Sequence, residues 1–273
     1  MTEKIRSIDW NAAWQEAQQA CSRPAREASF WDSRASSFAA HARHKSDYPE
    51  QFIEIVRPEP HWHVLDVGCG PGTVAIPMAE RVASVTALDF SGAMLNILQT
   101  ACDENNISNI RPVLADWNDD WRAKGVDTHD VVFASRSLVC GDLTAGLVKL
   151  NRFTAKRVYI SHLVGEGPFD SRIIEASGRS FQPCPDYIYV LNLLYQLGIY
   201  ASVDFTTHPV NRTFDDIDDA LDECRWMIQD ITPAEEQRLK AFFEKNLIFE
   251  ENNRWKLPGM KPVRWAVIWW DTQ

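Results

Sequence analysis

Three glycines, Gly68, Gly70 and Gly72, follow an apolar run typical of a buried strand and precede a helical run. Glycine has no side chain, so its backbone can approach a ligand closely, and the N-terminus of the following helix offers free N–H groups. Two classes of nucleotide-containing ligand use this position. The dinucleotide fingerprint spaces its glycines G-x-G-x-x-G, whereas Thr73 occupies the third glycine position here. The spacing therefore disfavours a nicotinamide dinucleotide.

The whole segment, VLDVGCGPG at residues 64–72, resembles the glycine motif of class I S-adenosylmethionine-dependent methyltransferases. In that family an acidic residue two positions before the first glycine belongs to the same motif. The resemblance implies that this segment binds S-adenosylmethionine. The implied contact residues are Asp66, Gly68, Cys69, Gly70 and Gly72.

The same resemblance implies cofactor contacts at the ends of the next two strands. Asp89 ends the second strand, where the family's acid bonds both ribose hydroxyls, as a carboxylate with two oxygens can. Phe90 and Met94 fall where the family packs apolar side chains against the adenine. Asp116 follows the third strand, where the family's acid accepts from the adenine amine, and Trp117 would flank the ring.

Residues after the fourth and fifth strands are expected to face the methyl group, because ligands of open α/β sheets lie beyond the carboxyl ends of the strands. Ser135 and Arg136 follow the fourth strand. Arg136 would hold an acidic acceptor or, equally, pair with a surface acid. His162, near the end of the fifth strand, is a candidate base or acceptor ligand, with a hydrogen-bonded structural histidine as the alternative.

Tyr48 ends a basic, aromatic-flanked stretch before the glycine loop, which also holds His41, Arg43, His44 and Lys45. In the family this region often forms a lid over the cofactor, so Tyr48 joins His162 and Arg136 as a candidate catalytic residue. A solvated helix face is the alternative interpretation.

Strand-like and helical runs alternate over residues 63–163 and predict βαβ crossovers in a doubly wound, mostly parallel sheet. The resemblance implies seven strands, the last one antiparallel and formed by the aromatic run 264–270, whose tryptophans are expected in the core. We predict an N-terminal helical lid segment at 1–56 and the methyltransferase domain at 57–273. Within it, 164–262 contains a predicted substrate-cap insertion before the last strand.

The composition indicates an acidic globular protein, since the 273 residues are 45% hydrophobic and carry a formal net charge of −10. The acidic balance disfavours a nucleic-acid partner. No apolar run approaches the roughly 18 residues that cross a bilayer, and the N-terminal sequence lacks a signal-peptide core. The six cysteines are scattered without a C-x-x-C pair, which predicts no disulfide framework, no zinc site and a reducing, cytoplasmic setting.

Taken together, these features predict an S-adenosylmethionine-dependent methyltransferase that transfers a methyl group by in-line displacement to a small molecule. The family's DNA amine methylases carry an Asn/Asp-Pro-Pro-aromatic motif after the fourth strand, where this chain has SRSL at 135–138. Two alternatives stay open: a protein that only binds S-adenosylmethionine as a sensor or scaffold, and an NAD(P)-dependent oxidoreductase. A homodimer is compatible with the sequence, which does not select an oligomeric state.

Overall fold

A computed structural model describes residues 7–22, 27–43, 47–209, 213–228, 230–250 and 253–272. The helices are α1 (Trp10–Ala20), α2 (Ala28–Arg43), α3 (Tyr48–Val56), α4 (Ala75–Ala79), α5 (Gly92–Glu104), α6 (Leu143–Arg152), α7 (Ser171–Ala176), α8 (Tyr187–Gln196), α9 (Ile217–Met227) and α10 (Pro233–Asn246). The strands are β1 (His63–Val67), β2 (Ser84–Asp89), β3 (Ile110–Leu114), β4 (His129–Ser135), β5 (Thr154–Leu163), β6 (Ser202–His208), β7 (Thr213–Phe214), β8 (Ile248–Phe249), β9 (Trp255–Lys256) and β10 (Val263–Asp271). Within these described ranges, every helix is too short or too polar to cross a membrane.

The main sheet has seven strands in the order β3-β2-β1-β4-β5-β10-β6. Strands β1 to β5 pair in parallel, and β10 lies antiparallel between β5 and β6. The predicted seven-stranded, mostly parallel sheet with an antiparallel last strand is confirmed. The strand order reverses at β1 and β4, and such a switch point is where open α/β sheets bind ligands. The glycine loop and the segment after β4 meet at this point.

Each face of the sheet packs against its own helices, because successive side chains along a strand point to opposite faces. One face places Leu65 and Val132 in an apolar core with α1, α6 and α8. The other places Val64 and Phe133 in a second core with α3, α4 and α5. Alternate residues of a strand therefore contact different sets of helices. Which residues line the site depends on which face of the sheet each side chain occupies.

A third apolar core lies in the chain segment between β5 and β10. It contains Ile173, Phe214, Leu221 and Phe243 beside the small sheet β7-β9-β8. Helix α10 begins at Pro233, directly after Thr232, whose side chain closes a capping box with Glu235. The same segment also supplies α8 and β6 to the main sheet and its covering layer, so only part of the predicted cap forms a separate core. A role in covering substrate stays a prediction.

Cys21 and Cys184 form a disulfide, with their Cα atoms 4.7 Å apart. This finding corrects the expectation of no disulfide, which rested on sequence spacing. The two cysteines are 163 positions apart, and the fold brings them together where α1 ends beside the segment that leads into α8. The backbone N–H of Ser22 donates to the carbonyl of Gln182 at 3.0 Å alongside the bond. The remaining cysteines are buried free thiols: Cys69, Cys102, Cys140 and Cys224.

Candidate active site

The glycine loop between β1 and α4 adopts a left-handed backbone at its three glycines. The φ angles of Gly68, Gly70 and Gly72 are +73°, +54° and +89°, which glycine adopts without a steric penalty. A Cβ on Gly68 would lie 2.4 Å from the Cβ of Ser137, and one on Gly72 would lie 2.5 Å from a methyl of Leu98. These two glycines are therefore required by packing. A Cβ on Gly70 would have no neighbour closer than 4.0 Å, so this backbone borders open space.

Helix α2 approaches the glycine loop from the N-terminal side of the chain. The side chain of Phe38 is the neighbour 4.0 Å from the Cβ position of Gly70. The Asp32 carboxylate accepts hydrogen bonds from the hydroxyl of Ser91 at 2.6 Å and from the N–H of Ala93 at 3.1 Å. Both donors lie at the N-terminus of α5, where the helix dipole favours an acid. Sequence reasoning missed Asp32, because nothing in the spacing relates it to Ser91.

Part of the predicted lid lies outside the described residues. His44, Lys45 and the side chains of His41 and Arg43 belong to this part. The contacts of Asp32 and Phe38 place α2 beside the glycine loop. Closure of this segment over the cofactor stays a prediction.

The Asp89 carboxylate joins the end of β2 to the glycine loop. It accepts from the N–H of Gly70 at 2.8 Å and from the N–H of Ser91 at 2.9 Å, and the residue is buried. Burial raises the pKa of Asp89, and the backbone hydrogen bonds oppose that shift. An ionised carboxylate offers about four acceptor positions, so Asp89 retains capacity for two further donors.

Asp66 places a second carboxylate below the loop, on the same face of the sheet as α3. It is 1% exposed, and no hydrogen bond or ion pair from the described residues reaches its carboxylate. Burial, and then the charge of Asp89, raise the pKa of Asp66 well above its usual range. Burial also raises the pKa of the Cys69 thiol, which therefore stays neutral. The site thus contains a buried acid that lacks a cationic partner.

The remaining predicted cofactor residues surround the ends of β2 and β3. Met94 is buried in α5, and Phe90 is half-buried just before it. One oxygen of Asp116 accepts from the backbone N–H groups two and three residues later, so this oxygen closes a local turn. The indole N–H of Trp117 donates to the carbonyl of Ser137 at 3.2 Å. These contacts bring the ends of β2, β3 and β4 together at one edge of the sheet.

Two of the predicted catalytic residues lie in contact beyond the end of β4. The guanidinium carbon of Arg136 lies 3.9 Å from the ring centroid of Tyr48 and 5.3 Å from that of Trp265. This geometry is that of a cation–π pair. Tyr48 is fully buried, and its hydroxyl lies 2.6 Å from the hydroxyl of Ser135. Trp265, expected in the core, is only half-buried and forms one side of this contact.

Arg136 combines an unusual backbone with an unpaired charge. Its φ is +58°, and its N–H donates to the carbonyl of Ser161 at 3.0 Å. Non-glycine residues in this region are uncommon and cluster at functional positions. Among the described residues, no carboxylate pairs with the guanidinium, which is accessible to solvent even though burial lowers its pKa. Arg136 is thus exposed to solvent while protein atoms surround its guanidinium, which indicates that it lines a cleft.

His162 lies on the opposite face of the sheet from Tyr48 and Arg136. Its Nε2 lies 3.0 Å from the carbonyl of Pro185, and its ring centroid lies 5.4 Å from that of Trp14 in α1. A carbonyl only accepts, so Nε2 carries the proton. Burial lowers the pKa of His162 to about 4, which keeps the imidazole neutral. These contacts favour a structural histidine, and the structure does not bring it together with the other two catalytic candidates.

We expect the buried neutral His162 to make folding less favourable in acid. The pKa is lower in the folded state, so the unfolded chain binds more protons between about pH 6.5 and pH 4. The neutral His162 therefore does not reduce the free energy of unfolding above pH 6.5. As the pH falls from 6.5 toward 4, the free energy of unfolding decreases by up to about 3 kcal/mol. His162→Gln should flatten this part of a plot of unfolding free energy against pH, measured by urea denaturation. An unchanged slope would contradict the assignment.

Comparison with known proteins identifies the family. Residues 64–156 match the methyltransferase domain family. An uncharacterised protein of Haemophilus influenzae is 34% identical over 243 residues, which cover 88% of each chain. Residues 64–156 therefore form a methyltransferase domain. The matched domain contains the glycine loop, Asp89, Asp116 and Arg136 of this methyltransferase.

Solved structures share the methyltransferase fold at low sequence identity. A candidate methyltransferase of Bacillus halodurans superposes with a TM-score of 0.57 at 15% identity, covering 83% of this chain and 99% of its own. Magnesium protoporphyrin IX methyltransferase of Synechocystis, solved with bound S-adenosylhomocysteine, gives a TM-score of 0.52 at 15% identity, covering 67% and 92%. At such identities the likeness establishes the fold and not the acceptor.

Proposed function

We propose that this methyltransferase binds S-adenosylmethionine at the glycine loop and transfers its methyl group to a small molecule. The observation that carries the donor assignment is the buried carboxylate of Asp66, which pairs with no cation of the described residues, beside the open edge of Gly70. S-adenosylmethionine carries positive charge on its sulfonium and its ammonium group. A cation that binds here would supply the partner that a buried acid needs.

The other predicted residues fit the rest of the donor. Asp89 keeps acceptor positions free for two hydroxyls after its bonds to Gly70 and Ser91. Asp116 keeps one oxygen that does not close its own turn and could accept from an amine. The half-buried ring of Trp117 lies at the same edge of the sheet and would flank a planar base.

When bound, S-adenosylmethionine supplies an activated methyl group and leaves as S-adenosylhomocysteine. The protein's share of such a displacement is to hold both reactants in line and to exclude water. Burial raises the pKa of Tyr48, so its phenol stays protonated and shares a hydrogen bond with Ser135 rather than acting as a base. The half-buried ring of Trp265, packed against Tyr48, provides an apolar surface on which a small acceptor could lie.

Isothermal titration with S-adenosylhomocysteine and S-adenosylmethionine tests the donor site. We expect both to bind at micromolar strength, and we expect no binding of NADH. Gly70→Ala should weaken binding about tenfold or more, because the new methyl group occupies the open space beside the loop. Gly125→Ala is the matched control, because Gly125 also has a positive φ, of +76°, and nothing within 4 Å of its Cβ position.

Two outcomes would contradict the proposal. If the folded protein, free of carried-over ligand, bound neither compound, the donor assignment would fail. If Gly70→Ala and Gly125→Ala bound S-adenosylhomocysteine equally well, the glycine loop would not line the site. Release of S-adenosylhomocysteine from S-adenosylmethionine in the presence of small-molecule acceptors distinguishes an enzyme from a protein that only binds the donor.

A further inference from the structure

A second polar cluster lies beside the proposed donor site, at the carboxyl ends of β4, β5 and β6. We call it the Arg136 cleft, and it consists of Tyr48, Arg136, Ser161, Thr206, His208 and Trp265. In the strand register Trp265 lies opposite Thr206, Val263 opposite His208 and Val267 opposite Ser161. Cross-strand partners share a face, so the strand residues of the cleft point to the same side of the sheet as α3.

The charge of Arg136 is not neutralised by any acidic residue in the part of the chain that the structure describes. Arg157, Arg172 and Arg179 lie within 2.7 Å of an acidic oxygen, whereas no described carboxylate pairs with Arg136. This is notable in a chain with 38 acidic and 28 basic residues. Because the residue is exposed, an anion can reach its guanidinium from solvent. An anionic ligand would supply the missing charge.

Aromatic contacts fix the orientation of the guanidinium. Arg136 lies 3.9 Å from the centroid of Tyr48 and 5.3 Å from that of Trp265. A guanidinium held on aromatic rings keeps its N–H edge free, and this planar fork matches a carboxylate with two parallel hydrogen bonds. The half-buried ring of Trp265 also offers an apolar surface to the rest of such a ligand.

Three further polar atoms of the cleft are buried and have no hydrogen-bond partner among the described residues. They are the hydroxyl oxygens of Ser161 and Thr206 and the Nε2 of His208. Ser161 is 0% exposed and Thr206 is 1% exposed. Buried polar atoms nearly always have a hydrogen-bond partner, so three such atoms on one face need an explanation. A polar ligand bound between them would supply the partners.

We propose that the Arg136 cleft binds the methyl acceptor through a carboxylate, so that the acceptor is a small, ring-containing organic acid. The inference rests on the proposed function, because it assigns the second reactant of the same site. Ser161, Thr206 and His208 would bind further polar groups of that acid. The carboxylate that Arg136 binds does not itself receive the methyl group, so the carboxylate of the product keeps its negative charge.

The methionine carboxylate of the donor is the other possible source of an anion. The contacts of Arg136 favour the acceptor, because they are made to α3 and to β10, which lies beyond β5 in the sheet. The glycine loop follows β1, on the other side of β4. The contact with Trp265 therefore places the guanidinium on the β10 side of β4, away from the glycine loop.

Calorimetry with benzoate as the probe tests the proposal on the protein saturated with S-adenosylhomocysteine. We expect saturable benzoate binding, at least tenfold stronger than that of the neutral analogue benzamide. Arg136→Met should abolish this preference, and Arg136→Lys should retain part of it. Arg264→Met is the matched control, because Arg264 is an exposed arginine on the opposite face of β10, stacked on Phe205.

Titration of the donor into the same variants distinguishes a failure of the acceptor assignment from a failure of the proposed donor site. We expect the affinity for S-adenosylhomocysteine, and its ratio to that for 5′-methylthioadenosine, which lacks the amino acid, to be unchanged in Arg136→Met. If Arg136→Met bound S-adenosylhomocysteine no more tightly than 5′-methylthioadenosine, Arg136 would be assigned to the donor carboxylate and the inference would be overturned. Equal binding of benzoate and benzamide, or no saturable benzoate binding, would also overturn it while donor binding upheld the proposed function.

Discussion

Asp89→Ala is expected to weaken S-adenosylhomocysteine binding by about 10- to 100-fold, the effect of losing hydrogen bonds to a charged group worth roughly 1.5–3 kcal/mol. The carboxylate holds the N–H of Gly70 and that of Ser91, and its free acceptor positions are those we assign to the ribose. The substitution therefore removes ligand contacts and loosens the loop that the ligand approaches. Isothermal titration measures the change directly.

Asp103→Ala provides the control for this measurement. Asp103 is exposed near the end of α5, where its carboxylate accepts from the side chain of Gln99. We expect it to leave the affinity unchanged. Thermal unfolding of both variants shows whether a loss of affinity reflects a loss of fold. If Asp89→Ala bound S-adenosylhomocysteine as tightly as the unmodified protein, the ribose assignment would be wrong.

Breaking the Cys21–Cys184 disulfide is expected to lower the free energy of unfolding by about 2–5 kcal/mol. The bond closes a loop of 163 residues, and the entropy that a cross-link removes from the unfolded chain grows with loop length. It also holds the end of α1 against the segment before α8. Urea denaturation with and without dithiothreitol measures the difference.

The double variant Cys21→Ser, Cys184→Ser separates this bond from other effects of the reductant. We expect it to unfold at the same urea concentration in both conditions, because the other four cysteines are free thiols. The unmodified protein in reductant should resemble the double variant. A native protein shown by mass spectrometry to carry the bond, yet insensitive to its reduction, would contradict the expected stabilisation.

The sheet was predictable from the sequence because its signals are local and repeated. Strands β1, β2 and β4 are apolar runs that are each followed by a helical run, and the glycine loop marks the first crossover. The antiparallel last strand followed from the family resemblance and from its aromatic run. The disulfide was not predictable, because Cys21 and Cys184 become neighbours only after α1 and α8 have packed on the same face of the sheet.

The composition of the cleft depended on strand parity, which sequence reasoning did not resolve. Ser161 and His162 are consecutive residues at the end of β5, yet they point to opposite faces. His162 meets Trp14, while Ser161 shares a face with Trp265. A shift of one residue in the register of β5 would place His162 in the cleft and Ser161 on the opposite face. His208 gave no sequence signal, since it lies on a strand that precedes its partner by more than fifty residues.

The position of β10 has a consequence for the order in which this protein becomes functional during synthesis. The donor loop and its acids lie between residues 66 and 116, so they leave the ribosome early. Strand β6 has no neighbour in the main sheet except β10, which also carries Trp265. Chains emerge N-terminus first, so the residues that we propose for the donor are synthesised well before the strand that carries Trp265. A chain that stops short of β10 would lack both Trp265 and the strand that joins β6 to the sheet, and with them one side of the cleft that we propose for the acceptor.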